Sequence, residues 1–470
     1  MIPLPVPPAG QRSDVTGLYG SADALALAQL GQRRRPLAVL TAQALDGQRL
    51  SEEIPFFAPE LRVHYFPDWE TLPYDSFSPH QDLVSERLAT LYQISHGACD
   101  VLIVPVATGL QRLPPVEFLA AYSFFLKQGE RIQPEALRRQ LTVAGYSHVT
   151  QVVSPGEYSY RGGVIDLFPM GSALPYRLDL FDNEVESIRT FDVDTQRSIY
   201  KVNDVRLLPA REFPTDEEAR TRFRQKFREK FEGDPSRSQL YKDVSNGVFA
   251  AGIEYYLPLF FEQTSVITDY LPPETVIVLH GNLQSVMEGF WRDTRSRFEL
   301  LRGDRDRPLL PPQDLFLLPD QLFGALKPFA RVAFTPTESG GAARMPTEAL
   351  PPLQVDRRAE HPLRRLADFA AGFPGRILLA AESLGRRETM LGYFAEHGLS
   401  PVLCENFAAF LSAPDKLMLT VGPMANGFVA EDARYAIVTE NELYAAQARA
   451  PDRREPASRV AAEHRKNWTG

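Results

Sequence analysis

Apolar and polar residues follow an alternating strand and helix pattern over residues 13–120. Short runs at Pro36–Thr41, Arg62–Phe66 and Val101–Pro105 are typical of strands. Between them, Ala22–Leu30 and Ser85–Ser95 repeat apolar residues at helical spacing, which predicts helices. Strands that alternate with helices predict an α/β domain with a parallel sheet.

The pattern changes after about residue 122. A helix is predicted over Pro134–Ala144, and three short strands then follow without helices between them: Val164–Phe168, Tyr176–Phe181 and Val185–Phe191. Asp182-Asn183, between the last two strands, is typical of a hairpin turn. This region therefore predicts a separate antiparallel α+β module.

A charged helix is predicted over Thr215–Glu232. Phe223, Phe227 and Phe231 recur there every four residues and form one apolar stripe on a polar helix. Three further segments resume the α/β pattern: Tyr255–Phe261, Ser265–Asp269 and Thr275–Leu279. The first domain is therefore expected to continue after the inserted module.

The last third of the chain predicts another small α/β unit. Residues 336–362 are rich in Pro, Gly and Ala, as linkers are. A helix is predicted over Arg386–His397, and the predicted strands are Gly375–Ala381, Pro401–Glu405, Lys416–Val421 and Tyr435–Thr439. The stretch Ala445–Gly470 is polar and weakly patterned, which predicts a frayed end.

The composition indicates about three domains, since a domain holds roughly 100–200 residues and this chain has 470. No apolar run approaches the ~20 residues of a membrane-spanning helix, and the N-terminus does not resemble a secretory signal. Only Cys99 and Cys404 occur, so a disulfide framework or a cysteine-rich zinc site is not expected. We therefore expect a cytoplasmic protein that does not bind membranes.

The charge favours a protein partner over a nucleic acid. The net charge is −9, whereas chains that coat phosphate backbones are usually basic. One arginine-rich stretch could hold a duplex: Arg292, Arg295, Arg297, Arg302, Arg305 and Arg307. Acidic residues interleave with these arginines, which favours a solvated charged helix over a DNA-binding scaffold.

The motifs of nucleotide and metal chemistry are missing from the sequence. The segment most like a phosphate-binding loop runs from Thr16 to Asp23 and includes Gly17, Gly20 and Ser21, but it lacks the lysine that neutralises phosphates. A plain loop before a helix is the favoured interpretation. The chain has no Cys-x-x-Cys, His-Glu-x-x-His or Gly-x-Ser-x-Gly motif. We therefore predict no catalytic residue, no metal site and no cofactor.

The strongest positive signal lies in Tyr176–Phe181. Because side chains alternate along a strand, Tyr176, Leu178 and Leu180 share one face and form an adequate core face. Arg177 and Phe181 should then face outward, and arginines and aromatic residues are enriched at interface hot spots. Arg161, before the neighbouring strand, could join this patch. The alternative is that Phe181 lies in a second core layer and the arginines are solvated.

Several segments resemble a known family. Ser154–Pro169, Arg177–Glu186 and Phe191-Asp192 are similar to the UvrA-binding domain of UvrB, and more closely to its counterpart in the bacterial transcription-repair coupling factor family (Mfd). Four other segments also resemble that family: Phe66–Asp75, Pro79–Leu91, Leu207–Pro214 and Gly427–Glu431. The resemblance covers residues 13 to about 445.

The resemblance implies a multidomain α/β fold: a split UvrB-like α/β domain with an inserted antiparallel α+β domain, plus a small C-terminal α/β domain. The expected boundaries are 1–121 and 210–340 for the split domain, 122–209 for the inserted UvrA-binding domain, 341–362 for a linker, 363–445 for the small domain and 446–470 for a flexible tail. In the family, an RNA-polymerase-binding domain, a double-stranded-DNA translocase motor and a regulatory domain follow. None of these is in this sequence.

The same resemblance implies a function. Arg161, Arg177 and Phe181 fall on the UvrA-contacting positions, so the chain is expected to recruit UvrA by mimicking UvrB and to link stalled RNA polymerase to excision repair. RNA polymerase and duplex DNA would be bound only by the family domains that are missing here. The degenerate loop, and His280-Gly281-Asn282 where UvrB has an acidic magnesium motif, argue against nucleotide hydrolysis. The alternatives are a DNA-binding scaffold and a nucleotide-dependent DNA enzyme. Replacing Arg177 or Phe181 by alanine is expected to weaken UvrA binding with little effect on stability.

Overall fold

A computed structural model describes residues 2–335 and 341–444. The described residues form two compact units: residues 2–17 with residues 26–335 and 341–345, and residues 18–25 with residues 346–444. The predicted tail, 446–470, lies outside the described residues. Both units contain sheets and helices, which confirms the α/β fold class.

The first part of the chain alternates strands and helices, as the pattern predicts. Its elements are β1 (Arg12–Thr16), α1 (Ala22–Arg33), β2 (Leu37–Thr41), α2 (Ala44–Phe57), β3 (Val63–Tyr65), α3 (Gln81–Ser95), β4 (Val101–Pro105), α4 (Val106–Gly109) and α5 (Glu117–Tyr122). β2 and β4 are fully buried, because they lie inside a sheet that is covered on both faces.

The antiparallel insertion follows. Its elements are β5 (Phe124–Lys127), α6 (Pro134–Val143), β6 (Ser147–His148), β7 (Glu157–Arg161), β8 (Val164–Leu167), β9 (Tyr176–Phe181), β10 (Glu184–Phe191), β11 (Ser198–Val202) and β12 (Asp204–Leu207). Six strands form one sheet in the order β11-β10-β9-β8-β7-β6. The first and last strands, β5 and β12, pair with each other, so the insertion leaves and re-enters the larger unit at one place.

The chain then returns to the parallel sheet. The elements are α7 (Glu217–Lys230), α8 (Gln239–Ser245), β13 (Val276–His280), α9 (Leu283–Leu301), α10 (Pro312–Leu315), α11 (Pro319–Leu326), β14 (Ala330–Phe334) and β15 (Ala343–Arg344). The seven strands have the order β15-β1-β14-β13-β2-β4-β3 and all run parallel. The interruption of one sheet by another confirms the split architecture.

Two segments after α8 differ from the expectation. Ile253–Phe260 and Ile267–Tyr270 are 3₁₀-helices, and of the three segments expected to resume the α/β pattern only the last, at β13, is a strand. Tyr255, Tyr256 and Phe260 are buried on several sides of the first 3₁₀-helix. When nearly every residue of a short segment is apolar, the hydrophobic pattern cannot show whether the segment is a buried strand or a buried helical turn.

The insertion and the parallel sheet share one hydrophobic core. A buried ion pair reinforces this junction: Arg87 on α3 donates through Nε to Glu212 Oε1 at 2.6 Å, and Trp69 Nε1 donates to Glu212 Oε2 at 3.0 Å. Arg87 also donates to the carbonyl of Pro67, and its guanidinium lies 4.4 Å from the ring centroid of Phe66. Three of the family-like segments therefore meet at one buried cluster.

The smaller unit contains β16 (Thr347–Glu348), α12 (Arg364–Gly372), β17 (Arg376–Ala381), α13 (Leu384–Glu396), β18 (Val402–Leu403), α14 (Phe407–Ser412), β19 (Leu417–Val421), β20 (Phe428–Ala430), β21 (Tyr435–Thr439) and α15 (Glu440–Tyr444). Its sheet has the order β16-β20-β21-β17-β19-β18. The segment 341–362, which was expected to be a linker, contains two short strands, β15 and β16.

Within the described ranges, no helix is long and apolar enough to cross a membrane.

Candidate partner-binding surface

The two faces of β9 differ as the alternation of its residues predicts. Leu178 is fully buried, and Tyr176 and Leu180 pack against the main core on the same side. Arg177 and Phe181 point to the opposite side. We call that side, which carries Ser159, Asp166, Arg177 and Arg189 in one row across the sheet and Phe181 near its end, the outer face.

Phe181 is the most exposed large residue of the outer face, with 75% of its surface accessible. It is the last residue of β9 and precedes the turn Asp182-Asn183, where both residues have positive φ, at 48° and 63°. A two-residue turn of this type keeps the strands tightly paired and leaves no loop to cover the ring. The sequence prediction of a hairpin here is confirmed, and the second-core alternative for Phe181 is excluded.

Arg177 lies nearer the middle of the outer face and is engaged on several sides. Its Nε and Nη2 donate to the two carboxylate oxygens of Asp166 at 2.7 and 2.9 Å, and its Nη1 donates to the carbonyl of Gln196 at 3.1 Å. The guanidinium also lies 4.7 Å from the ring centroid of Phe191. Only 23% of the Arg177 side chain and 8% of the Asp166 side chain are exposed. The hydrogen bonds to Asp166 raise the pKa of Arg177, so the guanidinium stays charged.

This placement corrects one expectation. The outward direction of Arg177 led us to expect that its removal would barely change stability. The structure shows that the side chain neutralises a nearly buried carboxylate and holds the segment around Gln196, so Arg177 contributes to the fold of the insertion.

Arg161 ends β7 and is exposed. Its guanidinium donates to the carbonyl of Thr150. Arg161 and Arg177 line the same open cavity of about 440 Å³, together with Asp166, Gln151 and Gln196. Since β8 lies between β7 and β9, Arg161 and Phe181 are two strands apart, which is roughly 10 Å across the sheet. The structure therefore places all three predicted residues on one face.

The degenerate loop also has a defined structure. Gly17 and Gly20 have positive φ, at 79° and 52°, and Ser21 is buried directly before α1. Asp23, which stands in the first turn of α1, is buried and accepts a hydrogen bond from the amide of Ala24 at 2.7 Å. At the position of the lost acidic motif, Asn282 caps α9 by accepting from the amide of Ser285. Both segments therefore have structural contacts within the protein.

The arginine-rich stretch is only partly a solvated helix. Arg297 pairs with Asp75 at 2.6 Å, and Arg307 donates to the carbonyls of Asp75 and Gly252. These two arginines are half-buried and hold the loop around Asp75. Arg302 pairs with Glu299 on the helix surface, as expected for a solvated face. The contacts favour a structural role for Arg297 and Arg307 over a role in a DNA-binding scaffold.

Two carboxylates of the larger unit are paired with arginines. Asp75 pairs with Arg297, and Asp166 pairs with Arg177. Glu86 lies on the exposed side of α3, where partial desolvation raises its pKa. Among residues 2–335 and 341–444, no three His, Cys, Asp or Glu side chains are placed to hold a metal ion.

Two family models match parts of the chain. The model described as "UvrB interaction domain" matches residues 124–213, which contain the outer face. The model described as "MFD, D3 domain" matches residues 369–443, in the smaller unit.

Transcription-repair-coupling factors are similar to most of the chain. The protein of Escherichia coli (strain K12) is 42% identical over 447 residues, which make up 94% of this chain and 38% of that protein. The protein of Haemophilus influenzae is 39% identical over 430 residues, 90% of this chain and 37% of that protein. The protein of Bacillus subtilis (strain 168) is 28% identical over 280 residues, 56% of this chain and 24% of that protein.

The resemblance to the UvrB-like module of transcription-repair-coupling factors is confirmed. The chain spans less than two fifths of the length of the relatives named above. The activity and partners of those longer proteins are therefore proposals for this chain, and the most specific surface on which to base them is the outer face of the insertion.

Proposed function

We propose that this UvrB-like module is an adaptor of transcription-coupled nucleotide excision repair that binds UvrA through the outer face, as a mimic of UvrB. One observation carries this proposal. Phe181 is 75% exposed on the face that carries an arginine-lined cavity, within the segment that matches the UvrB interaction domain. Arg161 and Arg177 are the arginines that line this cavity.

The physical chemistry of the outer face supports a protein partner. An exposed phenylalanine on the same face as arginines is typical of interface hot spots, where an aromatic ring fills a pocket and charged groups fix its orientation. Arg161 is the more exposed of the two arginines, so it can form a new ion pair. Arg177 already has Asp166 as its partner and is better suited to hold the surface in shape.

The wider role rests on the relatives. We propose that the module acts in the cytoplasm and delivers UvrA to stalled RNA polymerase, while polymerase and duplex DNA are bound by other domains of the family. We also propose that this module does not hydrolyse ATP. The loop Gly17–Ser21 lacks a lysine, and Asp23 brings a carboxylate to the start of α1, which supports this part of the proposal.

A competition titration tests the proposal. Purified UvrA is titrated with the chain by calorimetry, alone and then in the presence of saturating UvrB. We expect saturable binding that UvrB abolishes, because a mimic uses the same surface of UvrA. The proposal is wrong if the chain does not bind UvrA at micromolar concentrations, or if UvrA binds the chain and UvrB at the same time.

A further inference from the structure

The turn Leu18–Ser21 lies directly before α1 and belongs to the smaller unit. It makes hydrogen bonds with residues of that unit that come much later in the chain. The amide of Ser21 donates to the carbonyl of Asn426 at 3.0 Å, and the amide of Asn426 lies 3.4 Å from Ser21 Oγ. The amide of Tyr19 donates to Thr347 Oγ1 at 3.3 Å. Amides at a helix N-terminus are the groups that bind phosphates in nucleotide-binding loops. In this turn they bind oxygen atoms of the chain itself.

The contact is too close for any residue other than glycine. A Cβ atom on Gly20 would lie 2.2 Å from the carbonyl oxygen of Gly427, and one on Gly427 would lie 2.1 Å from the carbonyl oxygen of Ile437. Gly20 also has a φ of 52°, which favours glycine. The backbone of Gly427 therefore leaves no room for a side chain on Gly20, while Gly427 itself is confined by the backbone of Ile437.

The segment Ala425–Gly427 is also held by hydrogen bonds to side chains of α15. Glu442 Oε1 accepts from the amide of Gly427 at 2.8 Å, and Glu442 Oε2 accepts from the amide and hydroxyl of Thr439, both at 2.7 Å. The side-chain amide of Asn441 donates to the carbonyl of Ala425. Helix α15 thus fixes the shape of the segment that contacts the turn.

We propose that the turn Leu18–Ser21 is a binding site for the chain's own segment Ala425–Gly427, in which the Asn426 carbonyl occupies the helix N-terminus where a phosphate would bind. This use of the turn has two consequences. The smaller α/β unit is completed by a segment from the beginning of the chain, and nucleotides are excluded by a bound peptide in addition to the missing lysine.

Amide hydrogen exchange on the full chain tests this proposal. The variant is Gly20→Ala, and the matched control is Gly97→Ala, because Gly97 has a similar φ of 65° but nothing within 4 Å of its Cβ position. We expect the amides of Ser21 and Asn426 to be protected in the wild type. In Gly20→Ala their exchange should rise by at least about tenfold, and in Gly97→Ala it should not change.

A second variant keeps the test decisive if Gly20→Ala does not fold. Glu442→Ala removes the acceptor for Gly427 without changing the turn, so we expect faster exchange at Ser21 as well. Adding Mg-ATP to the wild type should leave the exchange of Ser21 unchanged. The proposal is overturned if Ser21 exchanges like an exposed amide in the folded wild type, if both variants leave it protected, or if Mg-ATP increases its protection.

Discussion

Arg177 and Asp166 face each other on neighbouring strands of the insertion and are joined by two hydrogen bonds, of 2.7 and 2.9 Å. Asp166 is nearly buried, and Arg177 is the charged group that donates to its carboxylate. The pair lies on the same face as Phe181, whose ring has no such contact and is 75% exposed. The sequence pattern predicted that Arg177 and Phe181 both face outward as interface residues. In the structure, Arg177 is paired within the sheet and Phe181 is exposed.

Replacing Arg177 by alanine is expected to destabilise the insertion. The substitution leaves the Asp166 carboxylate buried without a charged partner, and losing such hydrogen bonds costs about 1–3 kcal/mol. Thermal and denaturant unfolding would measure this loss. Arg161→Ala is the control, because Arg161 is exposed and its substitution should change stability by less than about 0.5 kcal/mol. Equal stability of the two variants would contradict the assigned role of the pair.

Leu178→Ala tests the buried face of the same strand. Leu178 is fully buried in the main core, and removing a leucine side chain from such a site usually costs about 2–5 kcal/mol. Denaturant unfolding should show the loss as a lower midpoint. A change of less than about 1 kcal/mol would mean that the site collapses around the smaller side chain.

Arg87→Met tests the cluster that joins the insertion to the parallel sheet. The substitution leaves Glu212 as an unpaired buried carboxylate, which typically costs about 3–5 kcal/mol. The control is Arg302→Met, since Arg302 and Glu299 form an exposed pair that should contribute at most about 0.5 kcal/mol. Unfolding free energies of the two variants measure the difference. Similar values for both would contradict a role for Arg87 at the junction.

Periodicity identified most of the regular elements because it depends on burial of one face. Leu178 and Phe181 show this for strands, since alternation placed each on its observed side. Periodicity could not reveal that Arg177 is paired, because the partner, Asp166, lies 11 residues away on another strand and the pattern carries no information on register. The pattern did not identify the 3₁₀-helix Ile253–Phe260. Nearly all of its residues are apolar and buried, so hydrophobicity does not vary with a helical period there.

The contact between Gly20 and Gly427 was also beyond sequence reasoning. The sequence showed that Gly20 lies in a degenerate loop, and the resemblance identified the segment that begins at Gly427. The two residues are far apart in the chain, and a glycine needed for a close backbone approach has the same appearance in a sequence as a glycine in any turn.

ATP is not expected to bind the chain. No lysine stands in the loop to neutralise phosphates, and the amide of Ser21 already donates to Asn426. Calorimetric titration with Mg-ATP should therefore give no saturable heat. Micromolar, magnesium-dependent binding would contradict both the loss of the nucleotide site and its occupation by the chain.

The most direct test of the proposed function is the affinity of UvrA for Phe181→Ala. Truncating a hot-spot residue usually costs ~2 kcal/mol or more, so we predict that this variant binds UvrA at least about tenfold more weakly than the wild type. Its unfolding free energy should stay within about 0.5 kcal/mol of the wild type, because the ring is exposed. The matched control is Phe77→Ala, another exposed phenylalanine (71%) outside the insertion, which should bind UvrA normally. If Phe181→Ala binds UvrA as tightly as Phe77→Ala does, the outer face is not the UvrA-binding surface.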